Sequence, residues 1–327
     1  MLKKQQGFTL VEIFVALAIG LVLIGGVLSV FVGMKTTTQE TSSIGELQEN
    51  GRFAVSLLTD DLLRQNFWGD LTSDLTSQLL VTPAPDNNGC IGEGINNGSF
   101  PQPSAGTFRT IWAQIIPSTL INSNVSVLND CIRDAADGSE VIQIKRVVAS
   151  PIDPADIENN RYYINAGFES AAIFAGNTPI PVVAQARIWE YQHHVYYIRR
   201  DTVGSNVVPV LMQGRLQNTV NPMSFNMMVE GIEKIHYMFG VDTDGDEVIN
   251  AYISAGNMTD DFWDNINSNI LSVKLYVLVR SIRQDRSYEN NNIYQMGDEP
   301  FDANGDNFRR LLFSTTISMP NATLRTF

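Results

Sequence analysis

Apolar residues dominate the start of the chain, where residues 8–34 contain a single charged side chain, Glu12. A run of about 18 or more apolar residues is long enough to cross a bilayer as a helix. An acid in such a run costs about 2.5–3.5 kcal/mol at the helix centre, so it indicates a function and requires a partner. The pattern therefore predicts a membrane-spanning helix in which Glu12 has a specific task.

The segment that follows is more polar but keeps a helical period. Residues 35–67 contain no proline, and their apolar residues recur at steps of three and four. These apolar residues are Ile44, Leu47, Phe53, Ala54, Leu57, Leu58, Leu62 and Phe67. This spacing is typical of an amphipathic helix. We therefore expect one helix from about Thr9 to about Phe67, with 8–34 in the membrane or a fibre core and 35–67 as the half that supports an outer domain.

From residue 68 onward the pattern changes to short β-like runs separated by loops. The predicted strands are 110–116, 140–148, 187–191, 194–200, 207–212, 231–241, 270–281 and 311–318. Their alternation and their β-branched or aromatic residues are typical of half-buried antiparallel strands. We interpret 82–106 as an extended surface loop, and 151–186 and 284–308 as loops or small subdomains. The predicted fold class is α+β, with a β-rich domain of antiparallel strands, residues 68–327, packed on the C-terminal half of a long N-terminal helix.

Three interpretations of the N-terminal stretch compete. A secretory signal peptide fits poorly, because the apolar run is too long and no A-x-A pattern closes it. A simple membrane anchor accounts for everything except Glu12. The third interpretation is a prepilin-type leader, since Lys3, Lys4 and the segment 7–12, GFTLVE, resemble the G-F-T-L-x-E signature of type IV pilins and type II secretion pseudopilins. This resemblance favours the third interpretation.

The resemblance implies definite chemistry for the junction. Residues 1–7 would be a leader that a membrane prepilin peptidase removes by cutting between Gly7 and Phe8, and Phe8 would become the N-methylated terminus. Glu12 would pair with the terminal amine of its own or a neighbouring subunit in a fibre of apolar helices, because an unpaired buried charge is costly. The alternative for Glu12 is a position at the lipid headgroups.

Downstream segments resemble a PilW-type minor pilin. They are Cys131 with 140–146 (EVIQIKR), 237–246 (YMFGVDTDGD) and 309–318 (RRLLFSTTIS). The length of the chain also favours this group over the shorter J-type pseudopilin of type II secretion. The resemblance implies a pilin-like fold with an antiparallel sheet against the helix. It further implies a structural subunit, a minor pilin that helps to initiate or cap type IV pilus assembly.

The same resemblance implies partners and a location. The partners would be the prepilin peptidase, other minor pilins, the major pilin, the inner-membrane assembly platform and the membrane itself. Lys3 and Lys4 would keep the leader in the cytoplasm, with the C-terminal domain in the periplasm and later at the pilus fibre or its tip. The formal net charge is -13, and loss of these two lysines leaves 20 basic against 35 acidic residues. This balance argues against nucleic acid as a partner of the outer domain.

Two other functions stay open from the sequence. One is a pseudopilin at the tip of a type II secretion system, and the other is a membrane-tethered, Ca²⁺-dependent adhesin or binding module. An enzyme is not expected, because the chain contains no G-x-S-x-G, H-E-x-x-H, P-loop or G-x-G-x-x-G motif. The histidines His193, His194 and His236 lie in strand-like aromatic segments, which favours packing over catalysis.

Cys90 and Cys131 are the two cysteines of the chain, and both fall in the outer domain. An even count in an extracytoplasmic segment indicates a disulfide. Such a bond would stabilise the domain by roughly 4 kcal/mol in the chain-entropy model.

Asp242, Asp244 and Asp246 alternate in a short turn, as carboxylates do in an EF-hand loop that binds Ca²⁺. The match to an EF-hand loop ends soon afterwards. Glu247 stands at the sixth position, where that loop has glycine, and Ile253 stands at the twelfth, where it has glutamate. A fainter version of the pattern contains Asp302, Asn304 and Asp306. Asp-Gly turns also suit a plain hairpin, so calcium binding and a structural turn both stay open.

Overall fold

A computed structural model describes residues 7–72, 75, 85–86, 89–102, 106–117, 125–204, 206–264 and 269–321. The chain divides into two compact units, residues 1–46 and residues 47–327. One long helix begins in the first unit and ends in the second. All strands of the described chain belong to the second unit.

Helix α1 covers Leu10–Leu63, which confirms the long N-terminal helix and ends it a few residues earlier than expected. Asn66 and Gly69 follow the helix with φ angles of 58° and 70°. These angles lie in the left-handed region, where a right-handed helix does not continue. The backbone at these two residues therefore separates the helix from the β-rich part of the chain.

The part of α1 in the second unit buries one stripe of side chains. Leu47, Ala54, Leu58 and Leu62 are all buried and belong to the apolar core. Their spacing places them on one face of the helix. Phe53 belongs to the apolar set of the sequence pattern, but it is 47% exposed because it lies off this stripe.

The strands of the described chain are β1 (Ile111–Ile115), β2 (Val125–Val127), β3 (Ile132–Ala135), β4 (Glu140–Val147), β5 (Tyr162–Ala166), β6 (Ala171–Ala175), β7 (Arg187–Val203), β8 (Asn206–Leu216), β9 (Met223–Glu230), β10 (Ile232–Asp242), β11 (Ala251–Ser254), β12 (Asn269–Arg280), β13 (Ile293–Met296), β14 (Glu299–Asp302) and β15 (Arg310–Ser318). A short helix, α2, covers Asp260–Trp263, and 3-10 turns cover Pro154–Asp156 and Ala255–Asn257. The predicted runs 187–191 and 194–200 are parts of one strand, β7. The segments 151–186 and 284–308, predicted as loops or small subdomains, contain the hairpins β5–β6 and β13–β14.

Every strand pair in the described chain is antiparallel, as the sequence predicts. The larger sheet has the order β1-β4-β7-β3-β2, and β7 also pairs with β5 and β8, which carry β6 and β9. The second sheet has the order β11-β10-β12-β15, and β13 pairs with β14. One apolar core contains side chains from both sheets and from the stripe of α1. The α+β fold with a long helix and an antiparallel β-rich domain is thereby confirmed.

Strand β4 is buried along its whole length, so the half-buried pattern predicted for it is wrong. One reason is the segment 89–102, which was expected to lie in a surface loop. Its residues Asn97, Ser99 and Phe100 are buried, and Asn97 Oδ1 accepts a hydrogen bond from Lys145 Nζ of β4 at 2.9 Å. The segment lies against the strand at Lys145 and gives that side chain a protein partner in place of water.

Candidate functional site

The predicted processing junction lies immediately before helix α1. Gly7, Phe8 and Thr9 are not helical, and Leu10 is the first helical residue. Phe8 is exposed, and a Cβ placed on Gly7 would meet open space. Exposed backbone near a chain terminus is where proteolysis concentrates. The junction therefore has the accessibility that processing requires, and cleavage between Gly7 and Phe8 stays a prediction.

Glu12 has a partner one turn away, at the start of the helix. Its Oε2 accepts hydrogen bonds from the backbone N–H of Thr9 at 2.8 Å and from the Thr9 hydroxyl at 2.9 Å. The hydroxyl oxygen of Thr9 in turn accepts a bond from the backbone N–H of Glu12 at 3.3 Å. This reciprocal pattern is a capping box, which satisfies donors that the first turn of a helix otherwise leaves unpaired. The T-x-x-E spacing before an apolar run is its sequence signal, and it adds Thr9 to the site residues predicted from the leader motif.

The first half of α1 presents an apolar surface. The large apolar side chains from Phe8 to Met34 are between 49% and 84% exposed. A soluble monomer rarely exposes apolar surface on this scale, so a surface of this kind marks contact with lipid or protein. The helix is also long and apolar enough to cross a membrane. Its sequence and exposure together indicate a segment that other apolar material covers in the cell.

The end of α1 carries a buried charged network around Asp61. Arg146 donates two hydrogen bonds to Asp61 Oδ1, one of them of 2.8 Å from Nε. The other oxygen of Asp61 lies 2.6 Å from Nδ1 of His194 and accepts the hydroxyl of Tyr196. Burial by itself would raise the pKa of Asp61, but His194 and Arg146 outweigh it and hold that pKa well below its usual range. The network therefore fixes the C-terminal part of the helix to strands β4 and β7.

Cys90 and Cys131 form a disulfide, with 5.1 Å between their Cα atoms. This bond is consistent with the pairing expected from the cysteine count. Cys90 lies in the segment 89–102 that covers β4, and Cys131 precedes β3. The disulfide therefore ties the covering segment to the larger sheet.

The predicted calcium loop follows strand β10. One carboxylate oxygen from each of Asp242, Asp244 and Asp246 lies within 4.8 Å of the others. Asp242 is buried, whereas the other two aspartates are exposed. The carboxylate of Asp242 also accepts three backbone N–H bonds of 2.8–3.1 Å from within the loop. These bonds order the turn by themselves, and calcium binding at this loop stays a prediction.

The fainter second loop differs from the first in its partners. Asp302 Oδ1 accepts the backbone N–H of Asn304 at 2.9 Å. Both oxygens of Asp306 accept hydrogen bonds from Arg310, at 2.7 and 2.5 Å. The arginine stands where a cation would bind Asp306, so this carboxylate is already engaged.

The three histidines are buried, and each ring has polar partners. His193 lies 2.9 Å from Ser99 Oγ and 3.1 Å from Gln143 Oε1 through its two ring nitrogens. His194 belongs to the network at the end of α1, and His236 lies among carboxylates. The histidines are therefore packed in the interior, as expected, and each also has polar contacts there. Their partners come from distant segments, so the local sequence carries no signal for them.

Comparison with known families gives one match at each end of the chain. Residues 2–28 match the family model described as the prokaryotic N-terminal methylation motif. Residues 195–321, which begin within β7 and end after β15, match the model described as Type IV Pilus-assembly protein W. No curated protein and no solved structure matches the chain.

The two matches support a type IV pilin-like protein that is anchored in a membrane by its N-terminal helix. Within that class they support a PilW-type minor pilin, and the resemblance seen in the sequence is confirmed. Of the downstream segments that carry the resemblance, 237–246 and 309–318 lie within the matched region, and 140–146 lies outside it. The matches point to a structural pilus protein that interacts with other pilus components, rather than to an enzyme.

Proposed function

We propose that this minor pilin helps to initiate or cap the assembly of a type IV pilus after cleavage between Gly7 and Phe8. One observation carries the proposal. A single chain combines an N-terminal methylation motif at residues 2–28, an exposed apolar helix surface, and a PilW-type match over residues 195–321. The mechanism is association, in which apolar helices leave the bilayer and bundle with those of neighbouring subunits.

Charged residues before the anchor and the disulfide after it support one membrane topology. Lys3 and Lys4 precede the apolar run, so the positive-inside rule favours a cytoplasmic leader and a periplasmic C-terminal domain. The disulfide between Cys90 and Cys131 supports this orientation, because disulfides persist in oxidising compartments such as the periplasm. After assembly the domain would lie at the pilus fibre or its tip.

Glu12 would compensate the amine that processing creates. Cleavage before Phe8 places the new terminal amine one residue ahead of Thr9, whose N–H already donates to Glu12 Oε2. The amine of the same chain therefore forms close to the carboxylate in sequence, and a neighbouring subunit supplies a second amine in a packed bundle. Either pairing neutralises a charge that is costly in an apolar fibre core.

The proposed partners are the prepilin peptidase, other minor pilins, the major pilin and the inner-membrane assembly platform. The peptidase would act on the exposed residues 7–9, and the pilins would cover the apolar surface of 8–34. The membrane covers the same surface before assembly. When the subunit leaves the bilayer, its apolar helix surface exchanges contact with lipid for contact with neighbouring helices. The apolar side chains therefore stay covered, and the transfer costs little free energy.

A deletion strain tests this function. Loss of surface pili and twitching, restored by the full-length gene, is the expected result. Normal piliation with failed export of secreted proteins would overturn the proposal and assign the chain to a type II secretion system. Intact-mass analysis of the mature protein provides the second measurement, and an N-methylated chain that begins at Phe8 is expected. A chain that begins at Met1, or after residue 34, would contradict the processing step.

A further inference from the structure

Three metal-ligating side chains from three different strands converge outside the sites described above. Glu140 begins strand β4, His236 lies within β10, and Glu299 begins β14. Nδ1 of His236 lies 2.6 Å from Glu140 Oε1 and 3.5 Å from Glu299 Oε2. These three donor atoms all lie within 4.8 Å of one another. The cluster therefore joins the larger sheet, the second sheet and the β13–β14 hairpin at one point.

Each of the three side chains is held in place by its other polar atom. Nε2 of His236 donates to Asp298 Oδ1 at 2.8 Å, which orients the ring. Metal-binding histidines are usually held in this way by a carboxylate on the second ring nitrogen. Nδ1 faces the two glutamates, and it shares a hydrogen bond of 2.6 Å with Glu140 Oε1.

The two glutamates are oriented in the same manner. The backbone N–H of Tyr237 donates to Glu140 Oε2 at 3.0 Å, and Lys234 Nζ donates to Glu299 Oε1. The opposite oxygen of each carboxylate is the one near His236 Nδ1. The protein thus fixes one atom of each group and directs the remaining atom to a common point.

The charges of the cluster favour a divalent cation. When a cation replaces the proton that lies between His236 Nδ1 and Glu140 Oε1, the carboxylates of Glu140, Asp298 and Glu299 against the ammonium of Lys234 leave two negative charges. Glu140 and His236 are buried, where uncompensated charge is costly. A single divalent ion would neutralise the cluster.

We propose that Glu140, His236 and Glu299 bind one divalent ion of the Zn²⁺ class. Zinc accepts imidazole nitrogen and carboxylate oxygen at about 2.0–2.2 Å, usually in tetrahedral geometry. Such ligands lie roughly 3.3–3.5 Å apart, close to the separation of His236 Nδ1 and Glu299 Oε2. The contact of Nδ1 with Glu140 needs to lengthen by less than about 1 Å. Imidazole in the donor set favours zinc over Ca²⁺ or Mg²⁺, which prefer oxygen.

The ion would have a structural role, with a water molecule as the fourth ligand beside the three side chains. It crosslinks three segments that the chain brings together only in the folded state, so it stabilises the folded protein by mass action. Because the three ligands lie far apart in the sequence, no short sequence motif contains them. The site is separate from the aspartate loop at 242–246.

The test uses the full-length protein in detergent, stripped with EDTA and then titrated with Zn²⁺. One zinc per chain by elemental analysis and a higher unfolding temperature in zinc than in EDTA are expected. Co²⁺ in place of zinc should give visible absorption of a four-coordinate site. A protein that binds no zinc after titration overturns the proposal.

Three variants locate the ion. Glu299→Gln removes a ligand that is 39% exposed, so the fold is retained and zinc is lost. Asp298→Ala keeps all three ligands but removes the acceptor that orients the ring, and should weaken zinc binding about 10–100-fold. Asp60→Asn is the control, because Asp60 is an exposed carboxylate outside both acidic clusters, and it should bind zinc as the parent does. Zinc retained in Glu299→Gln, or lost in Asp60→Asn, rejects the site.

Discussion

Charged residues inside the domain are held by partners from distant parts of the chain. Nζ of the buried Lys145 donates to Asn97 Oδ1 at 2.9 Å and to the backbone oxygen of Arg109 at 2.7 Å. The ring of Phe108 lies 4.9 Å from the same nitrogen. Burial, and then the nearby charge of Arg109, lowers the pKa of Lys145 well below its usual range. Lys145 therefore depends on neutral oxygen acceptors that covering segments of the chain provide.

Replacement of Asp61 by asparagine should destabilise the domain strongly. The change leaves Arg146 buried beside a neutral group, and breaking a buried pair in this way costs about 3–5 kcal/mol. The matched control is Asp60→Asn, because Asp60 forms an exposed pair with Arg64 and such pairs contribute at most about 1 kcal/mol. Denaturant unfolding of both variants in detergent measures the difference. Equal losses for the two variants would contradict the role of Asp61.

The same residue predicts how stability changes with acid. The pKa of Asp61 is held below its unfolded value of about 3.9. A carboxylate of this kind contributes stability above the unfolded pKa, and the contribution is lost as pH falls towards the folded pKa. The parent protein should therefore lose stability below about pH 4, and the gap to Asp61→Asn should shrink. Unfolding curves between pH 7 and pH 3 test this, and a gap that stays constant would refute it.

Substitutions at the start of α1 separate the two roles of Glu12. Glu12→Ala should leave membrane insertion unchanged but block incorporation into pili, because the terminal amine loses its partner. Thr9→Ala keeps the carboxylate and removes only the hydroxyl of the capping box, at a cost of about 0.5–2 kcal/mol to the helix start. Fractionation and immunoblots of sheared pili measure both steps. Normal incorporation of the Glu12→Ala variant into pili would show that the helix acts only as a membrane anchor.

At the scale of elements, helix α1 lies very close to strand β15. A Cβ at Gly51 would approach the ring of Phe313 to 2.0 Å, so any other residue there would require that ring to move. Gly51 lies on the buried stripe between Leu47 and Ala54, which places the closest approach in the middle of that stripe. Glycine in a helix costs about 0.5–1 kcal/mol relative to alanine. The close contact with β15 explains why a glycine stands at this position despite its lower helix propensity.

Gly51→Ala should therefore lower stability by about 1–3 kcal/mol despite its better helix propensity, because it overpacks the contact with Phe313. Gly45→Ala is the matched control, since its Cβ meets open space. That variant should be neutral or stabilising by up to about 1 kcal/mol. Thermal unfolding of both proteins provides the comparison. A stabilising Gly51→Ala would show that the helix does not pack on β15 at this point.

At the scale of the whole molecule, the apolar core formed by the described residues lies within the second unit. Every core residue stands at or beyond Leu47, and the exposed apolar surface of 8–34 lies in the first unit. A fragment of residues 47–327 should therefore fold without detergent and retain the disulfide between Cys90 and Cys131. Near-UV circular dichroism and mass spectrometry under non-reducing conditions measure this. Aggregation of the oxidised fragment would show that the domain requires the first half of the helix.

Local pattern accounts for much of this architecture. The apolar run at 8–34 and the stripe through Leu58 follow from periodicity, which neighbouring residues determine. Periodicity also predicts most of the long strands, although it divides β7 into two runs at Gln192 and His193. The hairpins within 151–186 and 284–308 were not found, because their short strands depend on pairing with other segments.

The amino-acid order alone predicts a leader-like segment, a long helix after it, and then a domain of antiparallel strands. These properties depend on residues a few positions apart. The folded structure alone determines that Asp61 meets Arg146, and that Glu140 meets His236. Such contacts depend on strand order and register, and a shift of one residue would turn the strand side chains Arg146, Glu140 and His236 to the opposite face of their sheets. The residues that neighbour any one of these side chains in the sequence therefore do not identify its partner.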